Sequence, residues 1–209
     1  MAIIMISLTF SALTVPLLIS VGTRLNHRRI QQANHTSQLL IERARVAMAN
    51  ETDWVDGVAY VPPPSTPANA PGVDIPVAEH TTVGDISAVG IPTAECTSTT
   101  NYCSNVLQVK AFDVDSDGDT DFYIQAFRGN KEVDNSDGTN QVVGFDMGVR
   151  VYPSGAASYL GDTTNPLFTE TAAAGISATG VNPRYPLTVS YTTLYRSEGS
   201  TSLCGIGTC

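Results

Sequence analysis

Met1 to Gly22 carries no charged side chain and no side-chain amide, and residues 23–50 follow without a Gly or a Pro. An apolar run of that length must be buried on all sides or sit in lipid. As a helix it spans roughly 33 Å, about one bilayer core. The spacing therefore predicts one long N-terminal helix, with a transmembrane half over 1–22 and an amphipathic half over 23–50. A cleavable signal peptide fits less well, because no charged residue precedes the run and no Ala-x-Ala follows it closely. Pro16 falls inside the run, where lipid-embedded helices tolerate a local kink. The flanking charges Arg24, Arg28 and Arg29 all follow the span and by themselves argue for a cytoplasmic body. The cysteines and acidic loop of that body argue for an extracytoplasmic one.

Within 23–50, Ile30, Ala33, Ser37, Leu40, Ala44 and Ala47 recur at spacings of three and four. That is a heptad-like stripe in need of a partner, either the chain's own body or a neighbouring copy. His27 and His35 lie on the same helix, with no third ligand near, and read as surface residues. Charge divides sharply: residues 1–50 carry +4 and residues 51–209 carry −13, of a total of −9. An acidic body excludes nucleic-acid binding as its main role, since neutralising phosphates takes a basic surface.

Seven prolines between Pro62 and Pro92 mark residues 51–105 as a Pro-rich loop, because proline lacks the amide that ladders need. Residues 106–209 then show period-two patterning. Leu107, Val109 and Ala111 alternate, as do Phe122, Ile124 and Ala126. Val143, Phe145, Met147, Val149 and Val151 alternate with Gly144, Asp146, Gly148 and Arg150. Leu187, Val189, Tyr191 and Tyr195 mark a fourth strand. The links 113–121 and 129–140 are rich in Asp, Gly and Asn and suit hairpins. The expected fold is α+β: a long N-terminal helix packed on a four-stranded antiparallel sheet.

The sharpest chemical signal is Asp113, Asp115, Asp117, Asp119 and Asp121, five carboxylates alternating through nine residues. Unscreened, they repel one another. Ca²⁺ takes six to eight oxygen ligands and suits such a loop. Asp113, Asp115 and Asp117 occupy loop positions 1, 3 and 5, Gly118 the turn at 6, Asp119 position 7 and Asp121 position 9. Position 12 is Ile124, not the bidentate Glu of an EF-hand, and strands flank the loop. The expected cofactor is calcium, held in an EF-like loop inside a β-hairpin.

Cys96, Cys103, Cys204 and Cys209 form neither Cys-x-x-Cys pairs nor a cluster with His, so zinc is not expected. An even count in an acidic, Ser/Thr-rich body points to disulfides and an oxidising compartment. Of three connectivities, two local bridges are favoured, since Gly205 and Gly207 allow a tight ring. No phosphate loop, nucleophile elbow or zinc-protease motif occurs, and an enzyme is not expected.

Met1-Ala-Ile-Ile, Thr14-Val-Pro16-Leu-Leu, Thr23-Arg24, Arg28-Arg29 and Gln31-Gln-Ala33, with the acidic loop running into Phe122-x-x-Gln125-x-Phe127-Arg128, carry a resemblance. The chain resembles type IV pilins and pseudopilins, and most narrowly the cyanobacterial hormogonium polysaccharide secretion pseudopilins, over its first 50 residues and 107–128. That resemblance implies a minor subunit of a type IV pilus-like filament supporting motility or exopolysaccharide secretion. Its partners would be other pilin or pseudopilin subunits through the N-terminal helix, the inner membrane before assembly, and a polysaccharide. Its location would be the inner membrane with an extracytoplasmic body, then a cell-surface filament. The basic leader, processing site and glutamate of that family are expected to precede Met1. The rival expectation is a membrane-anchored, calcium-dependent adhesion module that does not polymerise.

Peptide mapping without reductant is expected to recover a Cys204–Cys209 peptide beside a Cys96–Cys103 peptide. A Cys96–Cys204 or Cys103–Cys209 peptide overturns the local pairing.

Overall fold

The computed structural model describes residues 2–49, 89–97, 102–103, 105–134, 141–172 and 182–195; side chains at 2–19, 49, 130–134 and 141–143 lie outside the description. One helix, α1, runs from Ala2 to Ala49. A two-residue strand β1 (Ala94–Glu95) precedes β2 (Gln108–Phe112), β3 (Phe122–Asp134), β4 (Gln141–Pro153) and β5 (Thr188–Tyr195). A 3-10 segment, Ser154–Tyr159, follows β4. The fold is α+β, as the patterning predicts. Among the described residues no helix is long and apolar enough to cross a membrane. The side chains of most of the segment expected to span one, residues 1–22, lie outside those residues.

The sheet corrects the expectation of four antiparallel strands. It has five, in the order β1-β2-β3-β4-β5. β2 through β5 pair antiparallel, but β1 pairs parallel to β2, with Ala94 opposite Gln108, so the sheet is mixed. β1 lies in the stretch expected to be Pro-rich loop. Two residues are too few to show a period, and Pro92 immediately before them reads as a breaker. The pairing continues past the strand's ends, the Thr93 amide donating to the Leu107 carbonyl and the Cys96 amide to the Val109 carbonyl, each at 2.8 Å.

The stripe on α1 becomes the core. Ala33, Ser37, Leu40, Ala44 and Ala47 are buried, with Met48 beside them and Ile30 partly buried. They face Phe122, Ile124, Phe145, Met147, Val149, Val151 and Leu194, one face of the sheet. Small residues at Ala33, Ser37 and Ala44 let the helix backbone approach. There the Ser37 hydroxyl donates to the Ser190 hydroxyl at 3.0 Å. Above this contact region, Ser20 to Arg29 are exposed except Asn26, which is partly so. His27 and His35 are exposed, as expected.

The opposite sheet face is covered too. Val109, Tyr123 and Tyr152 pack with Ala156 of the 3-10 segment and Leu167, while Val89, Val106 and Phe127 form a second cluster. The glycines that alternate along β4 lie on this face. A Cβ on Gly148 would stand 2.3 Å from the Phe127 ring, so the ring can lie on the strand only above a glycine. The face assignment also explains β5. Cross-strand partners share a face, so Ser190 opposite Val149 and Leu194 opposite Phe145 point at α1. The Val189, Tyr191 and Tyr195 row that marks this strand in the sequence points away from the helix.

Leu40→Ala should destabilise the chain by about 2–5 kcal/mol, and Ala44→Leu by about 1–3 kcal/mol through overpacking. Val46, 60% exposed on the same helix, should tolerate Ala within about 0.5 kcal/mol. Chemical denaturation of the three variants checks the ranking. Equal effects at 44 and 46 would place the buried stripe wrongly.

Candidate metal centre in the β2–β3 hairpin

The loop between β2 and β3 is tied by carboxylates to its own amides. Asp113 accepts from the Ser116 amide at 2.6 Å and, through its other oxygen, from the Gly118 amide at 2.9 Å. Asp117 accepts from the Asp119 amide at 2.9 Å, and Asp115 from the Asp117 amide at 3.3 Å. Asp121 reaches back to the Val114 amide at 2.8 Å, while its own amide donates to the Phe112 carbonyl at 2.9 Å and closes the ladder. Such side-chain-to-backbone bonds make Asp a turn former. The chain also enters the left-handed region twice, at Ser116 (φ 62°) and Gly118 (φ 96°). At Gly118 that conformation favours glycine.

These turns bring three of the five carboxylates together. The ligand oxygens of Asp113, Asp115 and Asp117 lie within 4.8 Å of one another, all exposed, and the group could hold a metal ion. The carboxylate of Asp121 is directed to Val114 instead, and Asp119 contributes its amide to Asp117. A carboxylate pair of oxygens offers about four lone-pair sites, so the amide bonds on Asp113 leave room for a cation. An all-oxygen, all-carboxylate donor set fits a hard divalent ion and not a thiophilic one.

The electrostatics of the cluster are uneven. The Gly118 amide, and after it the Ser116 amide, hold the Asp113 carboxyl below the ordinary value of 3.8. Loss of hydration in the crowded loop, and then the Asp117 charge, raise that of Asp115. The loop thus favours the ionised form of Asp113 and, through lost hydration first and the Asp117 charge second, opposes that of Asp115.

Cys96 and Cys103 are joined by a disulfide, with Cα atoms 5.8 Å apart. The Cys204–Cys209 pairing expected from the sequence lies outside the described residues. Two polar residues that sequence reading passes over organise the far face of the sheet. Arg150, fully buried, donates to the Val89 carbonyl at 2.8 Å, the Gly90 carbonyl at 3.2 Å and Gln125 Oε1 at 3.2 Å, and its guanidinium lies 4.9 Å from the Phe127 ring centre. Gln125 Nε2 donates to the Gly90 and Val106 carbonyls at 3.0 and 2.7 Å. The available signal was an arginine in the middle of the most regular strand, opposite a glutamine two residues before a phenylalanine.

No family model, curated protein or solved structure matches this chain.

Titration of the carboxyl carbons by NMR should find Asp113 protonating below 3.8 and Asp115 above it. The stability owed to Asp113 is present above its unfolded value and lost as pH falls through its depressed folded value. Asp115 works in the opposite sense, its charge opposing the fold until pH falls through its raised value. Gly118→Val should cost about 1–2 kcal/mol by forcing a branched residue left-handed. A reversed order of the two carboxyls overturns the hydrogen-bond assignment of the loop.

Proposed function

We propose that this chain is a pilin-like minor subunit of a type IV pilus-like filament that supports motility or exopolysaccharide secretion. In this reading it waits in the inner membrane with its sheet domain outside the cytoplasm. The observation that carries the reading is the division of α1. A 48-residue helix is held to its sheet along one stripe from Ile30 to Met48, while residues 20–29 are exposed apart from the partly exposed Asn26, with Val21 and Leu25 each 54% accessible. Past its own core the helix thus leaves the apolar side chains of Val21 and Leu25 for other helices to cover. The sequence resemblance and the apolar run over 1–22 point the same way, toward packing of N-terminal helices against those of other subunits and, before assembly, against lipid.

In the same proposal the acidic hairpin binds Ca²⁺ through Asp113, Asp115 and Asp117, with Asp119 and Asp121 completing its charge. Ca²⁺ accepts irregular oxygen shells, whereas Mg²⁺ demands octahedral geometry and sheds water reluctantly. The exposed cluster also favours a second reading, a membrane-anchored calcium-dependent adhesion module that does not polymerise.

Assembly and calcium are tested separately. The full chain should assemble and a fragment starting at Gln31 should remain monomeric by light scattering; filaments from the fragment would remove the helix as the assembly element. A ligand that binds only the folded state stabilises it by about 2.7 kcal/mol at a hundredfold excess over Kd. Thermal melts in Ca²⁺ should therefore lie above melts in chelator, Mg²⁺ should shift them little, and Asp117→Asn should shrink the shift. Identical midpoints with Ca²⁺ and chelator reduce the loop to an acidic turn. A calcium shift with no assembly by the full chain selects the adhesion module.

A further inference from the structure

The disulfide stands between the edge of the sheet and the helix. On one side the Cys96 amide is fixed to the Val109 carbonyl, directly after the β1–β2 pairing. On the other, Cys103 follows Tyr102, which is buried in the helix–sheet core and whose hydroxyl donates to the Leu40 carbonyl of α1 at 2.7 Å. A sequence separation of seven residues becomes a single sulfur–sulfur link. The crosslink thus ties the sheet edge to the neighbour of Tyr102, which is bonded to the helix. Cys96 is half-exposed and Cys103 is buried, so Cys96 is the more accessible residue of the pair for an incoming thiolate.

We propose that Cys96–Cys103 is a redox latch on the helix. Closed, it holds Tyr102 against Leu40 and fixes α1 to the β1–β2 edge. Opened by a dithiol reductant, it frees Tyr102 and loosens the helix contact around Leu40. In the first step a reductant thiolate attacks Cys96 Sγ, the disulfide bond breaks, and Cys103 leaves as a thiolate that takes up a proton. The reductant's second thiolate then attacks its own sulfur in the mixed disulfide, and Cys96 leaves and is protonated. Two electrons and two protons pass to the protein, and the dithiol becomes a cyclic disulfide. The device does not depend on whether the chain polymerises. It makes the grip on α1 a function of the compartment's redox state.

The test uses the full chain carrying Cys204→Ser and Cys209→Ser, kept in mild detergent, so that only this pair responds. Removing one buried hydrogen bond lowers a folding equilibrium about fivefold. Tyr102→Phe should have that effect when the pair is oxidised and less than a twofold effect in a Cys96→Ala/Cys103→Ala background. The same penalty in both backgrounds overturns the latch, because Tyr102 then holds the helix unaided. A second readout needs no substitution at the pair. Dithiothreitol should speed hydrogen exchange at the α1 amides around Ala44, whose N–H shares the Leu40 carbonyl, by about tenfold or more. Exchange in β3 and β4 should stay unchanged. Unaltered exchange in α1 after complete thiol titration overturns the proposal. So does an equal rise in β3 and β4, which reports unfolding of the whole domain.

Discussion

Burial of one narrow stripe of α1 on the sheet is the contact on which the rest of the structure depends. Alanine and serine at 33, 37, 44 and 47 contribute little apolar area each, but they let the helix axis come close enough for Leu40 and Met48 to be buried in one cluster with Phe145, Met147 and Leu194. Full burial of a leucine or methionine is worth about 1.5–3 kcal/mol. The small residues set the distance and the large ones supply the free energy. Helix-facing positions on β4 are accordingly Phe, Met and Val without interruption, whereas β5 meets the serine of the helix with a serine of its own.

A sheet covered on only one side would need polar residues on the other. Here the second face is closed by the 3-10 segment and by the chain entering at Val89. The closure uses a buried cation. Arg150 has carbonyl dipoles, an amide oxygen and an aromatic face around it, and Gln125 shares the Gly90 carbonyl with it while turning its own Oε1 to the guanidinium. Such reciprocal bonding is what makes a buried polar group tolerable. Arginine suits this site better than lysine because its planar fork donates in several fixed directions and stacks on a ring. The Tyr191 hydroxyl, 3.4 Å from Arg150, extends the same network to the last strand.

The helix was legible because the 3-4 spacing from Ile30 to Ala47 cannot be mistaken for the period of a strand. β2, β3 and β4 were legible because both of their faces carry strong and different patterns. The rest failed for identifiable reasons. β1 is held by its pairing with β2, by the backbone bonds of Thr93 and Cys96 and by a crosslink, none of which has a local signature at Ala94 and Glu95. On β5 the aromatic row draws the eye, yet the helix-facing row is Thr188, Ser190, Thr192 and Leu194, since a close helix contact has no room for Tyr. The five aspartates marked a loop that could hold a cation, but the alternation could not tell that Asp121 turns back to Val114 while Asp113, Asp115 and Asp117 converge. Arg150 and Gln125 matter through partners 19 to 61 residues away, which period and composition do not encode.

The hydrogen bond between Ser37 and Ser190 joins residues 153 positions apart. Strands β2 to β5 form a meander of neighbours that can pair as they emerge from the ribosome, whereas the helix made first must wait for the strand made last. At 5–20 residues per second the interval is roughly 8–30 s. Until β4 emerges the stripe of Ala33, Leu40 and Ala44 lacks Phe145, Met147, Val149 and Val151, and until β5 emerges it lacks Ser190 and Leu194. During translation, then, the helix is an adhesive amphipathic segment, and whatever surface or chaperone holds it in that interval takes the place that β4 and β5 later occupy.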